Sequence, residues 1–254
     1  MPPLVQPVVT ALPTHQPVIQ VEGGGGRLAL RPWTRGDGAQ LKAAFKDQQI
    51  RHWYLHEFAN MAEARDWVEH SVRRWRKRRG ASWAVVDRRR PDIVLGQIGF
   101  RSLYLADGLA ELSCWVMPKA RGRGVATEAT RLLSTWGFDT LRMERLEIIH
   151  SVQNAPPCRV ALHAGFQVEG VKRRLQKHAD GFHDMCMHSR ISTDDGEPIL
   201  SEPPPSSAAA LSAATEPPDA RPARRLRRLP RVGRRRAFAR RRSRARAAAA
   251  ASTS

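Results

Sequence analysis

The chain has 254 residues, which is enough for one domain of ordinary size with extensions at its ends. Its 43 basic and 24 acidic side chains give a formal net charge of +19. Such a balance favours anionic partners, such as nucleic acid, ribosomes, acidic lipid or an anionic cofactor, without choosing among them. No apolar run approaches the length of a membrane-spanning helix, so we expect no transmembrane segment.

The 3 cysteines are far apart in the sequence and form no CxxC pair. A sparse, odd set of this kind indicates free thiols in a reducing compartment and gives no spacing that supports a metal site. The N-terminus lacks a basic segment followed by an apolar one, so no signal peptide is predicted. We therefore expect a cytoplasmic protein without membrane contact and without a metal.

The N-terminal residues 1–26 are rich in Pro, Val and Gln and end in four glycines. They predict a flexible extension, with a short extended piece near residues 18–21. Residues 27–31 alternate in polarity and predict the first strand, and a short helix is expected over residues 39–47. The next stretch, residues 50–60, has no clean period.

The middle of the chain predicts a long helix followed by an antiparallel meander. Apolar residues recur at helical spacing over residues 62–79. Three strands are then expected at residues 82–87, 93–101 and 110–117, because β-branched and aromatic residues are dense there and turn residues separate them.

The third of these strands leads into a basic glycine loop. Pro118 cannot donate to a strand ladder, so the strand should end there. The segment Arg121-Gly-Arg-Gly124 lets the backbone curl, and a helix over residues 124–138 is expected to continue from it. Unpaired N–H groups at the helix start, the helix dipole and two mobile arginines favour a phosphate or pyrophosphate. The alternative is an ordinary strand-to-helix turn, because short glycine motifs often occur by chance.

The remaining ordered part predicts alternating strands and helices. A strand at residues 145–150 precedes a helix at 156–164, where Pro suits the first turn. A strand begins at residue 166, and Asp-Gly at 180–181 predicts a hairpin into a last strand at 183–191. The whole pattern indicates a mixed α/β sheet sandwiched by helices.

The C-terminal residues 193–254 change character. They are Pro-, Ala- and Ser-rich, become Arg-rich over residues 221–246, and contain one aromatic residue, so we expect a disordered tail. The domain division is therefore 1–26, 27–192 and 193–254. Two interpretations of the last segment are equally compatible with its sequence: it binds RNA or the ribosome, or it is a basic tail without a function.

The glycine loop carries a resemblance to a known family. Arg121-Gly-Arg-Gly-Val-Ala126 fits the Arg/Gln-x-x-Gly-x-Gly/Ala signature of the GNAT superfamily of acetyl-CoA-dependent N-acetyltransferases. With Asn154 and Ala164-Gly-Phe166 in order, the chain resembles the ribosomal-protein N-terminal acetyltransferase branch from about residue 27 to about residue 191. The resemblance implies the GNAT fold and acetyl-CoA as the acetyl donor.

It also implies where the donor binds. In the family, the loop amides hold the pyrophosphate, and the pantetheine pairs with a strand end where two parallel strands splay apart, here residues 110–117 and 145–150. A backbone N–H near Val116 or Met117 would polarise the thioester carbonyl. The implied donor-binding residues are Trp115, Val116, Met117, Arg121, Gly122, Arg123, Gly124, Val125, Ala126, Thr127 and Asn154.

Glu111 is the candidate general base. It matches a glutamate common in this branch and shares a strand face with Ser113, Trp115 and Met117. The alternative is a cross-strand charge pair with an arginine. The family's serine three residues after Asn154 is Pro157 here, so the acid that protonates the leaving thiolate is unassigned.

The family's acceptor cleft includes the region of residues 50–60. Trp53, Tyr54, His56 and Glu57 are therefore candidate pocket residues, although we interpret Trp53 as core. The expected activity is direct acetyl transfer, in a ternary complex, to a primary amine of a protein N-terminus or of a small molecule such as an aminoglycoside, polyamine or amino acid. The alternative is a basic RNA- or ribosome-associated module that binds CoA without catalysis. A monomer and a homodimer are both compatible.

Overall fold

A computed structural model of the protein describes residues 4–21 and 26–199. The strands are β1 (Leu28–Pro32), β2 (Ala81–Asp87), β3 (Arg90–Tyr104), β4 (Leu109–Val116), β5 (Arg145–Ser151), β6 (Gln167–His178) and β7 (Gly181–Ile191). The α-helices are α1 (Gly38–Ala44), α2 (Gln48–Tyr54), α3 (Met61–Arg76), α4 (Val125–Asp139) and α5 (Ala155–His163). Most of the predicted tail, from residue 200 onward, lies outside the described residues.

The seven strands form one mixed sheet in the order β1-β2-β3-β4-β5-β7-β6. All neighbours are antiparallel except β4 and β5, which run parallel and are joined through α4. The prediction of a mixed α/β sheet with flanking helices is confirmed. No helix in the described ranges has both the length and the apolar character needed to cross a bilayer.

The sheet buries a core on each face. One core packs β-strand side chains against α4 and α5, with Trp83, Phe100 and Leu133 among its buried members. The other packs the opposite strand face against α1 and α3, with Trp33 and Trp115 at its centre. Alternate residues of β4 divide between the two cores because successive strand side chains point to opposite faces.

Helix α2 forms in the stretch that has no sequence period. The Asp47 carboxylate caps it by accepting from the Ile50 N–H at 3.0 Å. Leu55 ends it in a left-handed conformation with φ of 53°. A helix of 7 residues spans two turns, which is too short for periodicity to reveal it.

Residues 4–21, expected to be flexible, lie against the domain as a strap. The Ile19 side chain is 5% exposed, and its residue pairs with β1 through two backbone hydrogen bonds of 2.8 Å. The strap accepts hydrogen bonds from two buried indoles. Trp75 Nε1 donates to the Pro13 carbonyl at 3.1 Å, and Trp83 Nε1 donates to the Pro17 carbonyl at 2.8 Å. Prolines suit this role because each keeps a carbonyl acceptor while lacking an N–H.

Candidate active site

A gap opens where β4 and β5 separate. Their parallel pairing ends at Leu112 and Ile148, although β4 continues to Val116 and β5 to Ser151. Beyond that point β5 remains paired with β7. A cavity of about 1100 Å³ occupies this region and is lined by both strand ends, the glycine loop, α2 and the start of α5. The gap therefore joins the two faces of the sheet.

The backbone of β4 directs the N–H of Val116 toward the gap. Met117 donates its N–H to the Leu95 carbonyl of β3 at 2.8 Å, so it is already used. Polar groups of successive residues in a strand point to opposite edges, which turns those of Val116 toward the gap. The Val116 carbonyl accepts from Arg121 Nε at 3.2 Å. Of the two predicted oxyanion donors, the geometry therefore favours Val116 and excludes Met117.

The glycine loop is open. Gly122 and Gly124 have φ values of 71° and 74°, in the left-handed region that glycine adopts without strain. A Cβ at either position would meet no atom within 4 Å. Helix α4 begins directly after the loop at Val125, so the N–H groups of its first turn have no partner within the helix. The described residues therefore leave the loop open, in the form that an anion-binding loop, here called the anion cradle, would need.

Arg121 is fixed rather than mobile, contrary to the expectation from sequence. Its guanidinium bonds the Asp47 carboxylate at 2.7 and 3.3 Å and Gln49 Oε1 at 3.2 Å. This hydrogen bond lowers the pKa of Asp47. The Arg121 N–H is also used, because it donates to the Pro118 carbonyl at 3.3 Å. Arg121 therefore connects α2 to the loop, although both Arg121 and Arg123 are exposed.

The opposite wall comes from the start of α5. Asn154 lines the cavity and its side chain makes no capping bond to the helix. Pro156 and Pro157 follow in the first turn and also line the cavity. Neither proline has an N–H or a hydroxyl, so this wall offers the Asn154 amide as its polar group at the helix start. The predicted Asn154 thus lies in the same cavity as the glycine loop.

Glu111 lies at the other end of the cavity, where β4 and β5 are still paired. Its side chain is 19% exposed, and Arg101 Nη1 donates to its carboxylate at 3.4 Å. Burial raises the pKa of Glu111, and the nearby Glu147 raises it further, against the opposing effect of Arg101. The arginine partner that the charge-pair alternative requires is present, and Glu111 also lines the cavity, where a base would have to lie.

Helix α2 supplies the aromatic wall beside Glu111. Trp53, Tyr54 and His56 line the cavity, whereas Glu57 pairs with Arg51 at 3.1 Å and does not. Trp53 is half-buried and packs edge-on against His178, so the interpretation of it as core is corrected. Burial raises the pKa of Tyr54, which keeps its phenol protonated.

A hydrogen-bonded chain at the end of β5 was missed by sequence reasoning. The Ser151 hydroxyl accepts from the Gln153 N–H at 3.1 Å and lies 2.8 Å from His183 Nδ1. His183 Nε2 lies 2.9 Å from the Asp180 carboxylate. We assign the proton to Nε2, since the carboxylate accepts it, which leaves Nδ1 to accept from Ser151. No local motif marks this set, because its members come from two strands and a turn.

Basic side chains outnumber acidic ones in the cavity wall. Among the described residues that line it, the acidic one is Glu111. The lining arginines are Arg74, Arg101, Arg121 and Arg159. Arg121 is neutralised by Asp47, which leaves a wall that favours neutral or anionic groups around a single carboxylate.

Comparison with known proteins gives a family match over most of the domain. Residues 27–167 match the model described as an acetyltransferase (GNAT) domain. An N-acetyltransferase of Bacillus subtilis, YoaA, whose own activity is uncharacterized, is 26% identical over 166 residues, which are 65% of this chain and 93% of that protein.

Solved structures share the fold at lower identity. The acetyltransferase of Salmonella typhimurium that modifies the N-terminal serine of ribosomal protein L7/L12 has a TM-score of 0.60 at 18% identity, covering 69% of this chain and 99% of its own. The microcin C7 self-immunity acetyltransferase MccE, in complex with acetyl-CoA and AMP, has a TM-score of 0.58 at 18% identity. The match covers 66% of this chain and 93% of that chain.

Proposed function

Because this chain belongs to the GNAT family of acetyl-CoA-dependent acetyltransferases, we propose that it transfers an acetyl group directly to a primary amine held beside Glu111. The observation that carries the proposal is the gap between β4 and β5, with an open glycine loop at one end and a half-buried carboxylate at the other. Acetyl-CoA supplies an acetyl group activated as a thioester. The family predicted from the loop signature is confirmed.

The donor side of the site is assigned to backbone groups. We propose that the N–H groups of Gly122, Arg123 and Gly124, with those of the first turn of α4, hold the pyrophosphate. This uses the partial positive charge of a helix start and needs no lysine. The unpaired edge of β4 at Val116 accepts the amide-bearing arm as an added strand, and Asn154 bonds it from the opposite wall, whereas the backbone of the predicted Trp115 pairs with Gln97 of β3.

The Val116 N–H is assigned to the thioester carbonyl oxygen. Negative charge develops on that oxygen when the amine attacks, and a fixed N–H stabilises it more than mobile water does. A thiol with an ordinary pKa of about 8.5 is an acceptable leaving group, so the transfer requires no acid at the position of Pro157.

Glu111 is assigned as the general base. An amine must be neutral to attack, and the conjugate acid of an α-amine has a pKa of about 8, so a base that removes its proton increases the reactive fraction. Burial raises the pKa of Glu111 toward the working range of such a base. Proton transfer through one water suits the cavity, which is open around the carboxylate.

The acceptor is assigned to amines that lack additional positive charge. A polyamine or an aminoglycoside carries several ammonium groups, and each would need a carboxylate or a carbonyl to replace its water. The wall instead provides one carboxylate, already paired with Arg101, and two arginines, Arg74 and Arg159, that have no acidic partner among the described residues. An α-amine next to a neutral or acidic group, as in an amino acid or a peptide N-terminus, fits this environment.

A thiol-release assay with a panel of amines tests this assignment. Amino acids and peptides beginning with small or acidic residues should turn over with the higher kcat/KM. The kcat/KM of spermidine and of an aminoglycoside should be lower by about 10-fold or more. A 10-fold loss corresponds to about 1.4 kcal/mol, which is the size expected when one ammonium group is left without a hydrogen-bond partner. A preference for the polycations would overturn the acceptor assignment while leaving acetyl transfer itself intact.

A further inference from the structure

Three side chains with metal-ligating atoms meet between β5 and β7, on the sheet face that packs against α4 and α5. His150 is paired directly with Cys186 across the two strands, and His188 lies two residues further along β7. Residues with this spacing point to the same face. Their exposed fractions are 8% for His150, 6% for Cys186 and 0% for His188, so all three are buried.

The three atoms are arranged as ligands of one ion would be. His150 Nε2 and His188 Nε2 are 3.1 Å apart, and Cys186 Sγ is 3.5 Å from His188 Nε2. All three atoms lie within 4.8 Å of one another. A tetrahedral zinc with ordinary bond lengths places two nitrogens about 3.3 Å apart and a nitrogen and a sulfur about 3.6 Å apart. The two distances to His188 Nε2 are therefore close to those that a zinc ion would impose.

The tautomer of His150 is the one that a metal ligand requires. Its Nδ1 lies 2.8 Å from the Ser151 backbone carbonyl, which can only accept, so the ring proton is on Nδ1. The Nε2 lone pair is therefore directed at Cys186 and His188. A backbone carbonyl bonded to the far ring nitrogen is the usual outer contact of a metal-bound histidine.

The cluster can be reached from the cavity. His150 lines the cavity, so an ion or a water can reach Nε2 from that side. Three protein ligands with a fourth position left open is a common arrangement for zinc.

We propose that His150, Cys186 and His188 bind a Zn²⁺ ion. Two imidazoles and a thiolate suit zinc and disfavour Mg²⁺ and Ca²⁺, which take oxygen ligands. Binding forms the Zn–S bond as the Cys186 thiol releases its proton to solvent, and a water completes the coordination. The ion ties β5 to β7 beside the stretch where β5 has lost β4 as a neighbour. The proposal does not depend on the acetyl transfer.

Metal binding by the full chain, freed of any affinity tag and stripped with a chelator, tests this directly. The protein should take up one Zn²⁺ tightly and, with Co²⁺ in its place, show the near-ultraviolet charge-transfer band of a cobalt–thiolate bond. A folded wild-type protein that binds neither ion, or that binds Co²⁺ without the thiolate band, would overturn the proposal.

Matched variants locate the site. Cys186→Ser and His188→Gln should weaken zinc binding by about 100-fold or more, since losing even an outer contact typically costs 10- to 100-fold. The controls are Cys114→Ser, which removes another thiol, and His70→Gln, which removes an exposed histidine of α3. Both controls should bind as the wild type does. Equal zinc affinity in all four variants would show that the zinc binds elsewhere. If a ligand variant fails to fold, the cobalt spectrum of the wild-type protein alone tests the proposed site.

Discussion

At the scale of single residues, the carboxyl of Glu111 carries the proposed proton transfer, and its burial sets the pH at which it works. A general base is active when deprotonated, so the rate should fall as the pH drops through its pKa. Because burial raises that pKa, the loss should occur at a higher pH than for an exposed carboxylate.

Glu111→Gln should lower kcat by about 100-fold or more, because general base catalysis typically contributes 10²- to 10⁴-fold. It should also remove the acidic limb of the pH–rate profile. Glu69→Gln changes a surface carboxylate paired with Arg35 and serves as the control. An unaltered pH–rate profile in Glu111→Gln would show that Glu111 is not the general base.

The same substitution should not destabilise the fold at neutral pH. A raised pKa in the folded state stabilises the protonated carboxyl, and that contribution is lost as the pH rises through the folded-state pKa. Glutamine resembles the protonated form, so the midpoint of thermal unfolding at neutral pH should stay equal or rise slightly. A lower midpoint would mean that the Arg101 contact outweighs the cost of burying the charge.

The roles of single residues were only partly readable from the sequence. Strand alternation grouped Glu111 with Ser113 and Trp115, and all three line the cavity, although residues of the opposite face of β4 line it as well. The choice between Val116 and Met117 depended on which edge of β4 pairs with β3, which no sequence pattern reveals. His150 and His188 are 38 positions apart and meet only through strand pairing, so the cysteine spacing gave no sign of a metal site.

At the scale of the elements, the loop between β4 and α4 must stay open to hold a diphosphate. Gly124→Glu should abolish measurable binding of CoA in calorimetry, because a carboxylate would enter the anion cradle. Gly124→Gln is the matched control, since it carries the same backbone strain of about 1–2 kcal/mol without the charge. It should bind CoA more weakly than the wild type and clearly better than the glutamate variant. Unchanged affinity in both would refute the loop assignment.

Asp47 joins two elements, since it caps α2 and bonds Arg121. Asp47→Ala should lower the free energy of unfolding by about 1–2 kcal/mol, mainly through the lost cap. Asp47→Asn keeps a capping oxygen and should cost less, because an exposed ion pair contributes at most about 1 kcal/mol. The pKa of Asp47 is lowered, so its contribution holds above the unfolded-state pKa and disappears as the pH falls through the folded-state value. Urea titrations at neutral and acidic pH measure both effects, and equal losses in the two variants would contradict the capping role.

Long periodic elements were predictable, and short capped ones were not. Helices α3 and α4 and the strands of the meander follow from apolar spacing because each buries a face over many residues. Helix α2 depends on the Asp47 cap and on contacts with the loop, so the chain around residues 50–60 showed no period. The separation of β4 from β5 was expected from the family resemblance, and no local pattern indicates it.

At the scale of the whole molecule, the strap of residues 4–21 is part of the stable structure. Ile19→Ala should lower the free energy of unfolding by about 2–4 kcal/mol, because it empties a buried site. Its neighbour Val18 is 58% exposed, and Val18→Ala should change stability by no more than about 0.5 kcal/mol. Equal effects in chemical denaturation would show that the strap does not pack against the domain.

The prediction of a flexible lead-in came from proline and glycine content, which correctly indicates irregular backbone. It did not reveal that the prolines supply carbonyl acceptors to Trp75 and Trp83. Amino-acid composition predicts whether a segment forms regular secondary structure. Whether the strap packs against the domain depends instead on residues far away in the sequence. The order of strands and helices in the domain, by contrast, followed from turn residues and periodicity.

The most direct test of the whole account is mass spectrometry of the acceptor and the donor after incubation of the protein with labelled acetyl-CoA and the amine panel. The account predicts one labelled acetyl group on an amine for each CoA released, with this transfer strongly reduced in Glu111→Gln. A folded protein that binds acetyl-CoA and acetylates no amine of the panel would contradict it.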